Sequence, residues 1–316
     1  MELKHNISKF WPRIGALLID FIIIGIFGFL IGMIFEDFFV SIGNQGLMFG
    51  LIIALIYFSI GNSEISNAQT IGKKVVKIKI IDLSGNMISI QKSLLRSAIL
   101  FAPYFLINYP IPGIDELSVV NVYKGSILIS ALIGIIILYI SNKSTRQSLH
   151  DLIIGTYVVN VEQSENVKEL QPNSKIGIYL SIGLTIVLIS FTTYNLMNKD
   201  SVINDFDDVI GEIGEIDGVL RVGATRNTTT FYGDEKSITE SYSLLLHVQE
   251  IPNGSDFEQS EIVRKAVKIL FQVKPEVKSL DVINVKLNRG FNIGIAKKNN
   301  SYSSGKPPAE WSEIVE

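Results

Sequence analysis

An aspartate lies inside the first long apolar run of this chain. The run covers 22 residues from Ile14 to Phe35, follows Arg13 directly, and contains Asp20 as its one charged residue. About 20 apolar residues span a bilayer as a helix, and a carboxylate near the middle of such a helix costs roughly 2.5–3.5 kcal/mol. Arg13 and Asp20 share a helix face, about 10 Å apart along the axis. They are too far apart to pair directly, so we expect each to find a partner on another helix.

The composition separates a membrane part from a soluble part. Of 316 residues, 47% are hydrophobic and 19% are charged. Residues 1–199 carry 15 Lys and Arg against 12 Asp and Glu, whereas residues 200–316 carry 13 against 19. We therefore expect a membrane region followed by an acidic soluble region. The first apolar run is too long for a cleavable signal peptide, and we interpret it as a retained anchor.

Five apolar segments are candidates for transmembrane helices, and together they predict an α-helical polytopic membrane protein. They are residues 14–35, 46–61, 97–114, 126–141 and 176–197. The third segment contains Pro103, Pro110 and Pro112. Because prolines free backbone groups that neighbours must satisfy, a broken or re-entrant segment is the alternative there.

The distribution of basic residues predicts the orientation. With five spans and a cytoplasmic N-terminus, thirteen Lys and Arg lie in the three cytoplasmic segments, and the two outer loops contain only Lys124. This asymmetry follows the positive-inside rule. We therefore expect a multi-pass protein of the plasma membrane, with the lipid bilayer as its first partner and residues 200–316 outside the cytoplasm.

A small cytoplasmic β-hairpin is predicted at about residues 74–90. Apolar residues alternate with lysines there, Ser84-Gly85-Asn86 is a turn sequence, and residues 87–90 form the expected returning strand. Residues 155–161 are rich in β-formers and are a candidate third strand. Four basic residues are expected to face anionic lipid head groups rather than nucleic acid. They are Lys73, Lys74, Lys77 and Lys79.

Residues 200–298 are predicted to form an extracytoplasmic α+β domain of element order αββαββ. Apolar residues at helical spacing mark residues 202–213 and 262–271. The predicted strands are residues 219–224, 238–248, 282–287 and 291–296, with the last turn around Asn288-Arg289-Gly290. We expect a linker at 162–175 and a loose polar tail at 299–316, in which Trp311 is a candidate to dock.

Three stretches of the chain together resemble the RDD family of bacterial membrane proteins. The first is FWPRIGALLID at residues 10–20, the second is TIGKK at 70–74 with the following hairpin and SLLR at 93–96, and the third is RQSLHD at 146–151 with Gly155-Thr156. The resemblance covers about residues 8–161 and equates the arginine and two aspartates of the family name with Arg13, Asp20 and Asp151. Pro12 departs from it, because many members have a second basic residue there.

What the resemblance implies about function is general. The family is treated as one of unknown function in which solute or ion transport is suspected, and some members resemble cation/proton antiporters. On this basis, and because an intramembrane carboxylate can serve as a relay, Asp20 is the candidate site for a proton or a monovalent cation. The alternative is a structural ion pair or hydrogen bond between helices.

The other candidate site residues lie near the expected cytoplasmic end. Arg13 and Asp151 are expected to pair directly, or Arg13 reaches lipid phosphates instead; His150 and Arg146 are candidate supports. Two glycine pairs, Gly28 with Gly32 and Gly46 with Gly50, predict close helix packing or a dimer interface. The sequence assigns all of these residues to a site for transport or to structural contacts.

No enzyme is expected. The chain contains no cysteine, and it shows no catalytic or dinucleotide-binding motif, so we expect neither a cofactor nor a metal site. Two hypotheses remain. The first is a proton- or cation-coupled transporter, expected to be a homo-oligomer because five helices are few for a pathway. The second is a non-transporting anchor that presents the C-terminal domain to an unknown extracytoplasmic partner.

Overall fold

The chain forms two compact units, and neither of them is continuous in sequence. The computed structural model describes residues 5–111, 114, 118–163, 175–197, 206–232, 236–252 and 254–316. The first unit comprises Met1–Ile34, Asn44–Asn198 and Asn292–Lys297, and the second comprises Phe35–Gly43, Lys199–Phe291 and Lys298–Glu316. The predicted linker at 162–175 and the start of the predicted helix at 202–213 lie mostly outside the described residues.

Helices make up most of the first unit, because its sequence consists largely of apolar runs. They are α1 (Phe10–Ile34), α3 (Gly46–Gly61), α4 (Ile71–Val75), α5 (Ile90–Leu106), α6 (Val119–Ser141), α7 (Leu149–Ile154) and α8 (Lys175–Met197), while α2 (Glu36–Ile42) belongs to the second unit. Among the described residues, four segments are long and apolar enough to cross a membrane, namely α1, Glu36–Gly61, α6 and α8. The fold is therefore that of a polytopic membrane protein.

The helix α5 replaces the third of the five predicted spans. It begins at Ile90, where the hydroxyl of Ser89 accepts a hydrogen bond from the Lys92 N–H at 3.4 Å, and it ends at Leu106. Its 17 residues extend about 26 Å, less than the hydrocarbon core of about 30 Å. The described residues therefore hold four candidate spans where the sequence predicted five, and the alternative of a broken third segment stays open. The helix starts earlier than its apolar part and stops before Pro110, whose ring disfavours helix at the preceding residue.

A three-stranded sheet replaces the predicted hairpin at 74–90. Its strands are β1 (His5–Ile7), β2 (Ile78–Asp82) and β3 (Thr156–Gln163), in the order β1-β3-β2. The expected turn forms, with Gly85 at φ +86°, but residues 87–89 lead into α5 instead of returning as a strand. β2 pairs antiparallel with β3, and Ile78, Ile80 and Val158 are buried together. The third-strand prediction was therefore right, and the predicted local return strand was wrong, because β2 pairs with β3 while residues 87–89 lead into α5.

The second unit is a four-stranded sheet with helices on one face. Its strands are β4 (Val219–Tyr232), β5 (Lys236–Val248), β6 (Val282–Asn292) and β7 (Lys297–Lys306), and its helices besides α2 are α9 (Asp207–Gly214), α10 (Glu261–Val273) and α11 (Pro308–Val315). The strand order is β4-β5-β6-β7, and β5 and β6 are parallel because α10 connects them. Buried side chains of β5, β6, α9 and α10 form one core, as in other two-layer domains.

Two predictions about the end of the chain were wrong. β6 runs straight through Asn288-Arg289-Gly290, and the turn lies beyond it, with Gly294 at φ +79°. Gly290 is needed for another reason, because a Cβ there would clash with the carbonyl oxygen of Lys298. The tail at 299–316 is ordered as part of β7 and as α11. Trp311 is fully buried, and its indole N–H donates to the carbonyl oxygen of Ile283 at 2.9 Å.

Candidate functional site

Asp20 is buried on α1 and accepts three hydrogen bonds from neutral donors. Its Oδ1 accepts from the Tyr57 hydroxyl at 2.6 Å and from the Gly72 N–H at 2.8 Å. Its Oδ2 accepts from the Thr70 hydroxyl at 2.6 Å. The side chain is 1% exposed, so these contacts replace the water that a carboxylate otherwise requires. Asp20 therefore ties α1 to α3 and to the start of α4.

The TIGKK stretch supplies two of the donors because of its local geometry. Thr70 is the N-cap of α4, and its hydroxyl oxygen also accepts from the Lys73 N–H at 3.3 Å. Gly72 lies directly against α1, and a Cβ at this position would clash with the carbonyl oxygen of Ala16. The threonine caps the helix and the glycine permits the approach, so the pattern brings the N-terminus of α4 to the Asp20 carboxylate.

Arg13 binds backbone carbonyls instead of pairing with Asp151. Its guanidinium donates to the carbonyl oxygen of Arg146 at 2.6 Å and to that of Val158 at 3.1 Å. The guanidinium carbon also lies 5.7 Å from the ring centre of Tyr139. Arg146 contributes its carbonyl group from a left-handed conformation, with φ +52°. Arg13 thus joins α1 to the segment before α7 and to β3.

Asp151 pairs with Arg96, a residue that the sequence did not single out as a site residue. The Arg96 Nε and Nη2 atoms lie 3.0 and 2.8 Å from Oδ1 of Asp151, and the two side chains are 5% and 2% exposed. The Thr156 hydroxyl donates to the same oxygen at 2.8 Å. Burial works to raise the pKa of Asp151, but the Arg96 guanidinium, which is the strongest of the opposing charges, helps to hold the pKa well below its usual range. Asp151 is therefore a carboxylate in a buried ion pair.

His150 lies next to this pair as a neutral imidazole. Its Nε2 is 3.5 Å from Oδ2 of Asp151. Burial lowers the pKa of His150 to about 3, and the attraction of Asp151 only partly opposes this. His150 consequently adds no charge at neutral pH.

Lys73 points inward, unlike the other three lysines of the predicted lipid-facing group. Its ammonium donates to Oδ1 of Asn62 at 2.6 Å, and it has no ion-pair partner among the residues that the structure describes. Desolvation, together with the nearby Arg96 guanidinium, lowers the pKa of Lys73 to about 7, although Asp20 and Asp151 oppose the shift. Thr70 and Lys73 are three residues apart on one helix face, so the contact of Thr70 with Asp20 also turns Lys73 inward.

The remaining lysines are consistent with a solvated surface. Lys74 is exposed, and Lys77 forms an exposed ion pair with Glu162 at 3.3 Å. Lys79 is half-buried on β2.

These charged groups surround a cavity of about 480 Å³ within the first unit, which we call the polar chamber. Its charged and polar wall contains Arg13, Asp20, Asn62, Lys73, Arg96, His150 and Asp151. Leu17 of α1, Leu100 of α5 and Ile135 and Ile136 of α6 form an aliphatic part of the wall, and the aromatic rings of Phe10, Phe58 and Tyr139 and the sheet residues Ile78 and Val158 also line the cavity. Its volume falls in the range of small-molecule sites. Within the described part of the chain, no cluster of His, Asp and Glu has the arrangement of a metal site.

One glycine of each predicted pair contacts a chain segment outside the helices, and Gly50 also lies against Phe105 of α5. A Cβ at Gly28 would lie 2.7 Å from the side chain of Ile295, and a Cβ at Gly50 would clash with the carbonyl oxygen of Ile293. Both isoleucines lie in the segment Asn292–Lys297 of the first unit. Gly32 and Gly46 are buried as well. Small residues therefore make room here for a chain segment that the sequence did not associate with these helices.

Sequence reasoning found part of this site. It identified Arg13, Asp20, His150 and Asp151 as site residues, whereas Arg96 was noticed only as part of the SLLR motif. An arginine beside an apolar segment is itself an indication of a buried ion pair. Nothing in the sequence singled out Tyr57 or Asn62, whose contacts depend on tertiary packing.

Together the apolar helices and the polar chamber define a polytopic membrane protein with buried charges at one place in its helical unit. Residues 7–155 match the model of the RDD family, which confirms the resemblance over the part of the chain that holds Arg13, Asp20 and Asp151. The C-terminal region matches no family model. Neither the curated proteins nor the solved structures gave a match to the chain.

Proposed function

We propose that the first unit is a proton-linked solute carrier whose working site is the polar chamber. One observation carries this proposal: the Lys73 ammonium lies in the chamber without an ion-pair partner among the described residues, and its pKa is lowered to about 7. A group with such a pKa gains or loses its proton near neutral pH. Transport that is coupled to protons needs a group of this kind in contact with the solute site.

The charge of the chamber depends on this proton. Arg13, Arg96 and Lys73 are cationic, while Asp20 and Asp151 are carboxylates that accept hydrogen bonds from their neighbours. The net charge is therefore +1 when Lys73 is protonated and zero when it is not. Binding of a charged solute consequently shifts the proton on Lys73, and this linkage couples the two.

The geometry supports a different role for Asp20 from that of a cation ligand. Three of the roughly four lone-pair sites of its carboxylate accept hydrogen bonds, which leaves about one for a cation that takes several oxygen ligands. In this proposal Asp20 is a positioning residue, because it holds the start of α4 and thereby directs Lys73 into the chamber. The carrier is proposed to act as a homo-oligomer, since one copy offers few spanning helices.

Flux measurements test the proposal. We expect purified protein in liposomes to shift the luminal pH, reported by a trapped dye, when sodium, potassium, lithium or an organic anion is added on one side. Lys73→Gln should reduce this shift to the level of protein-free liposomes, because the chamber loses its titrating group. Lys74→Gln is the matched control, since Lys74 is exposed on the same short helix, and it should leave the flux unchanged. Equal flux in wild type and Lys73→Gln would rule out this role of Lys73.

The proposed orientation places the N-terminus in the cytoplasm of a plasma membrane and the second unit outside. The chain has no cysteine, so Ser303→Cys on the exposed side of β7 introduces a single thiol. We expect this thiol to react with an impermeant maleimide in intact cells. Labelling only after lysis would reverse the orientation.

A second candidate function is a non-transporting anchor that presents the C-terminal unit to an extracytoplasmic partner. It is favoured by the separate hydrophobic core of that unit, which includes Leu246, Val267, Val285 and Trp311. Folded wild-type protein that moves no proton with any of the solutes above would favour the anchor over the carrier.

A further inference from the structure

The polar chamber combines an unneutralised positive charge with a long aliphatic wall. We infer that it binds an amphiphilic monoanion, that is, an aliphatic chain ending in one carboxylate or phosphodiester group, with the head group on Lys73 and the chain along α1, α5 and α6. This inference rests on the proposed function in that it names the ligand class of the same chamber, but it does not require that the ligand be transported.

The charges select an anion. Of the three cations in the chamber, only Arg96 has a carboxylate partner among the described residues. Arg13 donates to carbonyl oxygens, which are neutral. Within the described part of the chain, Lys73 has one acceptor, the Asn62 side chain, although an ammonium group can donate three hydrogen bonds. A single negative charge beside Lys73 would therefore bring the net charge of the chamber to zero.

The walls select a chain attached to that anion. Leu17 of α1, Leu100 of α5 and Ile135 and Ile136 of α6 line the same chamber as the charged residues. Burial of an aliphatic chain against such side chains is favourable by about 0.8 kcal/mol per methylene. A hydrated inorganic ion would leave this surface without a partner, so the chamber fits an amphiphile better than a small ion.

The affinity should depend on pH through Lys73. Among the described residues, the charged and titratable groups around Lys73 are Arg13 and Asp20 on α1, Arg96 on α5, Tyr139 on α6, and His150 and Asp151 on α7, and Tyr57 on α3 is bonded to Asp20. Among these, His150 remains neutral and Asp151 remains charged over the range from pH 6 to 8.5. The pKa of Lys73 in the empty chamber is about 7, and a bound anion raises it. The anion should therefore bind more tightly below pH 7 than above it.

Calorimetric titration of the full-length protein in phosphatidylcholine nanodiscs tests the inference, with protein-free discs as the blank. Decanesulfonate is the single-chain probe, because it is ionised at every pH used, and dihexanoyl phosphatidylglycerol is the phosphodiester probe. We expect saturable binding of at least one of them, and binding about tenfold or more weaker for decanol, which lacks the charge, and for methanesulfonate, which lacks the chain. Which probe binds more tightly distinguishes a single-chain solute from a lipid head group.

The affinities of two lysine variants, and of wild type at two pH values, test whether Lys73 contacts the anionic head group. Lys73→Gln should weaken binding about tenfold or more, whereas Lys74→Gln should not. Raising the pH from 6 to 8.5 should weaken binding to wild type about tenfold or more and leave Lys73→Gln unaffected. Equal affinity for decanol and decanesulfonate, equal effects of the two variants, or no saturable binding would each overturn the inference. Binding without proton flux would remove the carrier proposal alone, and flux without binding would remove this inference alone.

Discussion

Replacing Arg96 by methionine should lower the free energy of unfolding of the first unit by about 3–5 kcal/mol. The substitution leaves Asp151 buried, at 2% exposure, with the Thr156 hydroxyl as its remaining short contact. A buried carboxylate without its counter-charge is costly, while methionine keeps most of the apolar contacts of the arginine stem. Urea unfolding in mild non-ionic micelles, followed by circular dichroism, measures the change.

The exposed ion pair of Lys77 and Glu162 is the control for this experiment. Its side chains are 74% and 80% exposed, so Glu162→Gln should change the free energy of unfolding by no more than about 1 kcal/mol. The double variant Arg96→Met with Asp151→Leu should recover much of the loss, because no charge is left buried. A loss in Arg96→Met that is no larger than in Glu162→Gln would show that the buried pair does not form.

Replacing Asp20 by alanine should also destabilise the first unit strongly. The change removes the acceptor of the Tyr57 hydroxyl, the Thr70 hydroxyl and the Gly72 N–H. Each donor left unpaired in a buried site costs about 1–3 kcal/mol. Asp20→Asn should cost less, because its amide keeps one oxygen and the Thr70 hydroxyl can rotate to accept from the amide nitrogen. The same urea unfolding experiment measures both variants.

Two comparisons separate this structural role from an ion-binding one. Tyr57→Phe removes one donor and should cost only about 0.5–1.5 kcal/mol. Asp20→Asn protein that remains folded should still show flux, if Asp20 acts by positioning α4, but with its pH dependence shifted downward, because the Asp20 charge helps to raise the pKa of Lys73. Wild-type stability together with complete loss of flux in Asp20→Asn would instead make Asp20 the ion ligand and contradict the role proposed for it.

The long helices were predictable because the thickness of a bilayer sets the length of an apolar run. The runs at 14–35 and 176–197 became α1 and α8 with small changes at their ends. The sheet of the first unit was harder, because β2 pairs with a strand more than seventy residues further along. The turn sequence at Ser84-Gly85 instead predicted that β2 would pair with the residues directly after the turn. The same limit applied at Gly290, where close approach of another strand, not a turn, requires glycine.

The charged residues of the site were predictable, but their pairing was not. Asp20 stood out because a carboxylate in an apolar run is costly, and the expectation that it would have partners on other elements fits its contacts with Tyr57 and Thr70. Asp151 was a candidate partner of Arg13, with lipid phosphates as the alternative for the arginine, but in the fold Asp151 pairs with Arg96. Lys73 was grouped with its neighbours by spacing alone. Its inward direction follows from the N-cap contact of Thr70, which is visible only in three dimensions.

The three-stranded sheet has a consequence for biogenesis. Its central strand, β3, is the last of the three to be synthesised, and the chain emerges from the ribosome N-terminus first. The carbonyl groups that Arg13 binds at residues 146 and 158, and the carboxylate that Arg96 binds at residue 151, are likewise made after both arginines. The nascent chain therefore holds two guanidinium groups without their final partners until about half of it has been translated. The first unit can therefore complete these contacts only after residues 145–163 have been synthesised.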